Sequence, residues 1–198
     1  MSAIARLRRF AAARPAVERC GLCGAACETR HAHLVEAATA RVLCACPGCA
    51  TVFDHETGAF RRVPDRVVRL ELGMSEADWS DLGVPIGLAF LRRHPAAGTV
   101  HASYPSPLGA VESEVPAEAW EALEKQSPDL RSMAPGVEAL LIRRTQGIRE
   151  AFIARIDACH ALIGLIRREW RGFSGGDGVF PAVESFFAEL RARAGGRP

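Results

Sequence analysis

Two short stretches decide how the first third of this chain folds: "CGLCG" at Cys20–Gly24 and "LCACPGCATVF" at Leu43–Phe53. Each contains a Cys-x-x-Cys pair, formed by Cys20 with Cys23 and by Cys46 with Cys49. Two residues between thiols let the backbone turn tightly, so that both sulfurs of a pair reach one cation. Gly24 and the Pro47-Gly48 dipeptide are turn-forming residues that suit such knuckles. The spacing therefore predicts four ligands around a single metal ion.

The residues around the two pairs predict a small zinc-ribbon or rubredoxin-like metal domain. The 22 residues between Cys23 and Cys46 are enough for a β-hairpin that brings the pairs together. Short strands are indicated by "HLVE", "RVLCAC" and "AFRRVP". Four thiolates at about 2.3 Å form a closed structural Zn²⁺ site. The same geometry accepts one iron ion, as in rubredoxins, whose second knuckle also reads Cys-Pro-x-Cys, so iron is the alternative to Zn²⁺.

Two further cysteines leave the ligand set open. Cys44 lies two residues before Cys46, so on a regular strand both sulfurs face the same side, and Cys44 is a substitute ligand. Alternatively, Cys20, Cys23 and Cys27 bind an iron–sulfur cluster together with a later cysteine. We favour the simpler interpretation, in which Cys27 and Cys44 are small buried thiols beside the ribbon.

Three histidines are also near the cysteines in sequence: His31, His33 and His55. Because four cysteines already complete a tetrahedral shell, we interpret each as an ordinary strand or turn histidine. His33 has the alternative role of donating a hydrogen bond to a ligating thiolate.

Composition excludes several functional classes. The 198 residues carry 25 basic and 23 acidic side chains, a net charge of +2, whereas a nucleic-acid interface needs a surplus of cations. No run approaches the roughly 18 apolar residues of a membrane span. Six of the seven cysteines fall between Cys20 and Cys49, as expected of metal ligands in a reducing compartment. We therefore expect a cytoplasmic protein that neither binds nucleic acid nor spans a membrane.

The chain divides into three predicted regions: a basic amphipathic arm over residues 1–18, the metal domain over 19–66, and an α+β domain over 67–198. One pattern occurs twice in the last region. The strands "GLAFLRRH" and "TVHASYP" precede the helix "PAEAWEALEKQ", and "VEALLIRR" and "REAFIARI" precede "DACHALIGLIRREW". Two such ββα units predict a mainly antiparallel, four-stranded sheet with helices on one face. A capped helix at "SEADWSDLG" and a final helix at "FPAVESFFAELRAR" are also predicted.

Two other stretches have residues that could form a functional site. "YPSPLGAVESE", from Tyr104 to Glu114, is expected to be a loop that leaves a strand, most simply a structured turn with an acidic end. Cys159 and His160 are adjacent on a predicted helix and therefore point about 100° apart, so they do not form a nucleophile–base dyad. We predict no catalytic or organic-cofactor-binding residue, and a non-enzymatic protein.

As a set, the motifs resemble an uncharacterised bacterial family whose members are typically encoded beside nickel–iron hydrogenases. The motifs that carry the resemblance are "RCGLCG", "HAHLVE", "LCACPGC", "VPDR", "VPIGLAFL", "YPSPLGAVESE", "VEALL" and "IDACHALIGLIRREWRGFSGG". The family pattern matches Cys20, Cys23, Cys44, Cys46 and Cys49 but not Cys27. The resemblance implies a metal-binding accessory protein that contacts a hydrogenase subunit or maturation factor during assembly, maturation or electron transfer. A rubredoxin-like iron electron carrier is the alternative.

Overall fold

The computed structural model describes residues 17–53, 58–95, 97–106, 109–145, 147–169 and 178–195. Most of the predicted arm and His55 lie outside these residues. The chain divides into two compact units, here called the N-terminal unit (residues 1–36 and 41–62) and the C-terminal unit (37–40 and 63–198). None of the helices in the described ranges is both long and apolar enough to cross a membrane. The predicted mixed α+β fold with antiparallel sheets and C-terminal helices is confirmed.

A three-stranded antiparallel sheet forms the N-terminal unit, in the order β2-β1-β3. Its strands are β1 (Ala32–Glu36), β2 (Val42–Ala45) and β3 (Phe60–Arg62), and helix α1 (Pro47–Val52) follows β2. The three predicted strands therefore form. The hydrophobic core is small, with Leu34, Ala45 and Ala50 buried and Leu22, Ala32 and Phe60 partly buried around them.

A six-stranded antiparallel sheet in the order β4-β9-β8-β5-β6-β7 forms the centre of the C-terminal unit. Its strands are β4 (Val68–Leu70), β5 (Leu88–Arg93), β6 (Val100–Ser106), β7 (Gly109–Val115), β8 (Glu138–Thr145) and β9 (Ile148–Arg155). Its helices are α2 (Glu76–Asp81), α3 (Ala117–Gln126), α4 (Ile156–Glu169) and α5 (Val179–Gly195), with a 3₁₀ turn at Pro128–Ser132. The two predicted hairpins meet through β5 and β8, where Phe90 lies opposite Leu141.

The stretch from Tyr104 to Glu114, which the sequence predicted to be a loop, is the β6–β7 hairpin. Tyr104 lies opposite Val111, and the pairing continues to Val100 opposite Val115. The two carboxylates of this stretch obscured the strand in the sequence. One of them, Glu112, accepts a hydrogen bond from Arg92 at 3.0 Å and another from Ser103 at 3.0 Å. Charged residues are common on an edge strand such as β7, where they block further pairing.

Helices cover both faces of the six-stranded sheet, not the one face that the sequence predicted. On one face, Trp120 and Leu123 of α3 pack in a core with Leu140 of β8. On the other, the Phe152 ring of β9 lies 6.0 Å from Phe187 of α5. Neighbouring residues of a strand point to opposite faces, and apolar runs such as "EALLI" and "AFIA" are typical of strands buried on both sides. The prediction of helices on one face was wrong because it did not take these continuous apolar runs into account.

Charged side chains lie inside the layer between the sheet and α5. Arg143 is 4% exposed, and its guanidinium donates to Glu184 at 2.6 Å. Arg191 donates to Glu150, which is also buried, at 2.8 Å. Hydrogen bonds from Arg143 and Arg191 lower the pKa of Glu184. Each buried charge thus has an oppositely charged partner, as low-dielectric burial requires.

The predicted cap of the helix at "SEADWSDLG" is confirmed. The Ser75 hydroxyl accepts a hydrogen bond from the Asp78 backbone N–H at 3.1 Å, and the Asp78 carboxylate accepts one from the Ser75 N–H at 2.8 Å. These two bonds satisfy donors that the first turn of α2 leaves unpaired. Gly83, with a φ of 66°, ends the helix in the left-handed region that favours glycine.

Candidate metal centre

The structure brings together the four cysteines of the two Cys-x-x-Cys pairs. The sulfurs of Cys20, Cys23, Cys46 and Cys49 all lie within 4.8 Å of one another. The Cys23 and Cys46 sulfurs are 3.7 Å apart. Four sulfurs at about 2.3 Å from a tetrahedral ion are roughly 3.8 Å from each other, so this donor set fits one ion. All seven cysteines are free thiols, so the pairs are not linked as disulfides.

The first pair lies on a tight loop that its own backbone closes. Arg19 and Ala26 form an isolated antiparallel bridge across the loop. The Gly24 N–H donates to the Cys20 carbonyl at 2.9 Å, and the φ of Gly24 is 76°. A side chain would be strained at this φ, which explains the glycine directly after the pair. The loop thus turns Cys20 and Cys23 toward the same point.

The second pair lies at the start of a helix, not in the Pro-Gly turn that the sequence predicted. Cys46 is the N-cap of α1 and has an extended backbone, Pro47 is in the first turn, and the Ala50 N–H donates to the Cys46 carbonyl at 2.9 Å. The fixed φ of proline suits the first helical position, so the same dipeptide that forms turns also begins helices. Cys46 and Cys49 are three residues apart and therefore lie on one side of the helix.

The β1–β2 hairpin joins the two pairs. Its second strand ends at Ala45, directly before Cys46. The Gly21 N–H, from the first loop, donates to the Cys44 carbonyl of this strand at 2.8 Å. A Cβ on Gly21 would lie 3.1 Å from the Leu43 side chain, which explains why the residue facing β2 is small. This backbone contact sets the first loop beside the start of α1.

Backbone amides and burial give the four thiols different acidities. The pKa of Cys20 is lowered to about 6 because the backbone N–H groups of Cys46 and Cys23 donate to its sulfur. Burial, together with hydrogen bonds to the neighbouring sulfurs, raises the pKa of Cys49 to about 12. Since metal ligands must be thiolates, binding of an ion at neutral pH releases protons from this group.

The remaining two cysteines of the N-terminal unit lie outside the four-thiol group. Cys27 is 8% exposed, and burial raises its pKa, so it has the character of a small buried thiol. Cys44, the substitute ligand of the sequence analysis, is instead grouped with His31 and His33. In the β1–β2 register, His33 lies directly opposite Cys44. The signal that joins these residues is the cross-strand position of His33 and Cys44, with His31 two residues before His33.

Cys159 and His160 do not form a dyad. Cys159 is fully buried, and its burial raises the pKa of the thiol. The His160 ring faces Phe90, with 5.6 Å between ring centroids. Cys159 is therefore a packed core residue.

The chain matches a family of unknown function, DUF5947, over residues 19–194. It belongs to this family. The match includes all four cysteines of the candidate metal centre and every strand and most helices of the DUF5947 fold described above. The motifs predicted that the chain belongs to an uncharacterised family, and this part of the prediction is confirmed. No curated protein and no solved structure matches the chain.

Proposed function

We propose that this DUF5947 protein is a non-enzymatic accessory protein whose N-terminal unit is folded around one Zn²⁺ ion. The observation that carries the proposal is the gathering of four thiols within 4.8 Å in a unit whose hydrophobic cluster, among the residues described, has three buried members. So small a core does not offset the conformational entropy of ordering the unit. Zn²⁺ binding to four thiolates is worth on the order of 10 kcal/mol and supplies that difference.

A structural role suits this site because its shell is closed. Cys20, Cys23, Cys46 and Cys49 would occupy all four positions of a tetrahedral ion, which leaves none for a substrate. The ion would join the first loop to the start of α1. The amides that donate to the Cys20 sulfur would offset its negative charge in the bound state.

An exposed apolar pair supports a role in binding another protein. Val52 and Phe53, at the end of α1, are 61% and 37% exposed. Adjacent exposed apolar side chains on a rigid, metal-held element are a typical centre for a protein contact. The resemblance described in the sequence analysis makes a nickel–iron hydrogenase subunit or maturation factor the proposed partner.

Affinity capture from cells that express a nickel–iron hydrogenase tests this partner. The tagged chain is expected to recover a hydrogenase subunit or a maturation factor. The double variant Val52→Ser/Phe53→Ser should lower the recovery several-fold and leave the metal content unchanged. Val111→Ser, at another exposed valine, is the matched control and should recover as much as the unchanged chain. Recovery of no such protein by the unchanged chain contradicts the proposal.

An iron electron carrier is the second candidate, and ligand exposure favours it. Cys23 is exposed, and Cys46 and Cys49 are partly exposed, so electrons would have a short path to an ion at this site. Protein purified without oxygen should then be red when oxidised and should lose its colour with dithionite. Colourless protein that contains zinc and no iron rejects this candidate.

A further inference from the structure

We propose that His31, His33 and Cys44 form a second metal site in the N-terminal unit, which binds a divalent transition ion such as Zn²⁺ and leaves one coordination position open. One ring nitrogen of each histidine and the Cys44 sulfur lie within 4.8 Å of one another. Imidazole nitrogen and thiolate sulfur are ligands that Zn²⁺ prefers. Donors in a tetrahedral shell of this kind are roughly 3.3–3.8 Å apart, so small side-chain rotations would complete the site.

The backbone of the hairpin brings two of the three side chains together, and the third comes from the residue directly before β1. His33 and Cys44 are cross-strand partners in the β1–β2 register. His31 lies directly before β1, and one of its ring nitrogens is within 4.8 Å of the His33 and Cys44 donor atoms. Directly opposed side chains have their β-carbons about 4.5–5.5 Å apart. The juxtaposition of His33 with Cys44 is therefore a consequence of the register.

The His31 ring is oriented as a metal-binding imidazole. Its Nδ1 is 2.7 Å from the Glu28 carbonyl oxygen, which only accepts, so Nδ1 carries the proton and Nε2 the lone pair of the neutral ring. The side chain is 4% exposed, and within the described part of the chain Nε2 has no hydrogen-bond partner. Histidines that bind metals typically donate their other N–H to a backbone carbonyl in this way. A buried lone pair without a donor points to a cation.

Neighbouring groups complete the surroundings of the site. The His31 and His33 ring centroids are 4.7 Å apart. A carboxylate oxygen of Glu18 lies 3.7 Å from His31 Nε2, beyond hydrogen-bond distance. The Glu18 carboxylate therefore lies at the edge of the site, close to the position that a cation would occupy.

Three protein ligands give this site a different chemistry from the four-thiol centre. A closed shell resists exchange, whereas three ligands leave a position for water or an external anion. The second ion should therefore leave first when a chelator is added. This inference is independent of the partner proposed above, because the number of metal ions bound is measured on the purified chain. Failure to capture a partner would therefore leave the second metal site untouched.

Metal titration of the full chain tests the second site. Reduced, metal-free protein should bind two equivalents of Zn²⁺, or of Co²⁺ as an optical probe. His31→Ala/His33→Ala and Cys44→Ser should each bind one equivalent and keep the intense thiolate absorption of the four-thiol centre bound to Co²⁺. That retained absorption also shows that a variant has folded. His160→Ala, in the C-terminal unit, is the control and should bind two equivalents.

A second measurement is X-ray absorption at the zinc edge of the fully loaded, unchanged chain. Nitrogen donors at about 2.0–2.1 Å should appear beside sulfur at about 2.3 Å. Binding of only one equivalent, a shell made only of sulfur, or two equivalents in both variants would overturn the proposal. A single equivalent would mean that His31 pairs with Glu18 and binds no metal.

Discussion

The two units of this molecule differ in the size of the hydrophobic core that the structure describes for each. The buried core described for the N-terminal unit consists of Leu34, Ala45 and Ala50, whereas that on one face of the C-terminal sheet contains eighteen buried residues. Four cysteines converge in the first unit, and the cysteine of the second, Cys159, is buried among apolar residues. This difference supports the proposal that a bound ion stabilises a unit that is too small for a large core of its own.

Removing two of the proposed metal ligands should have the largest effect, and it should unfold one unit while leaving the other folded. In Cys23→Ser/Cys49→Ser, we expect loss of the four-thiol ion and unfolding of the N-terminal unit, because binding worth on the order of 10 kcal/mol is lost. Limited proteolysis should then cut within residues 17–62 and leave the C-terminal unit intact. Cys27→Ala is the matched control, since it removes a buried thiol outside the ligand group and should keep the metal. Equal cleavage of both variants would contradict the proposal that the bound ion stabilises the N-terminal unit.

Truncation of a core aromatic should give the reverse pattern. Phe152 is fully buried against Phe187, so Phe152→Ala should lower the free energy of unfolding of the C-terminal unit by about 3–5 kcal/mol. Metal content should not change. Denaturant unfolding measures the loss, and Phe180→Ala, at a side chain 52% exposed on the same helix as Phe187, should cost less than about 0.5 kcal/mol. Loss of metal from Phe152→Ala would show that the units are not held independently.

The ion pairs around Arg143 should make the stability of the C-terminal unit depend on pH. In the folded state, hydrogen bonds from Arg143 and Arg191 lower the pKa of Glu184 below its ordinary value of 4.5. The ion pairs therefore stabilise the protein fully above pH 4.5, and this stabilisation is lost as the pH falls through the lowered pKa. Glu184→Gln should therefore be less stable than the unchanged chain at neutral pH, by less than the core truncation, and the difference should shrink in acid. Urea unfolding at about pH 7 and about pH 3.5 tests this dependence. The exposed Glu189 on the same helix provides the control, and a pH-independent difference for Glu184→Gln would contradict the prediction.

The smallest expected effect concerns the cap of α2. Ser75→Ala removes the hydroxyl that accepts from the Asp78 N–H, and we expect a loss of about 1 kcal/mol in the C-terminal unit. Ser80→Ala, at an exposed position inside the same helix, should be neutral or slightly stabilising, because alanine has the higher helix propensity. Thermal unfolding compares the pair. Equal changes in both variants would show that the cap contributes nothing specific.

Local signals in the sequence predicted the parts of the fold that depend on neighbouring residues. The Cys-x-x-Cys spacing anticipated which four sulfurs converge, and the Ser75–Asp78 pair predicted a capped helix that the structure confirms. Apolar runs located both central hairpins of the C-terminal sheet. Each of these signals consists of residues within a few positions of one another, although the two cysteine pairs that it marks are separated by 22 residues.

Features that depend on distant partners were missed or misassigned. The β7 strand appeared to be a loop because the role of Glu112 becomes visible only beside Arg92, twenty residues earlier. The helices on both faces could not be predicted because the second face of β9 is covered by a distant element. Phe187 of the last helix packs there against Phe152. Pro47-Gly48 is compatible with a turn and with a helix start, and in the structure Pro47 begins α1. Cross-strand register likewise brings Cys44 to His33.

Amide hydrogen exchange of the intact chain, compared between metal-loaded and metal-stripped protein, tests most directly whether an ion holds the N-terminal unit together. The account predicts that amides of β1 and β2, such as those of Leu34 and Val35, lose their protection when the metal is removed. Amides of β8 and β9, such as those of Leu140 and Phe152, should exchange at the same rate in both samples. Protection of β1 and β2 that survives complete metal removal would contradict the account.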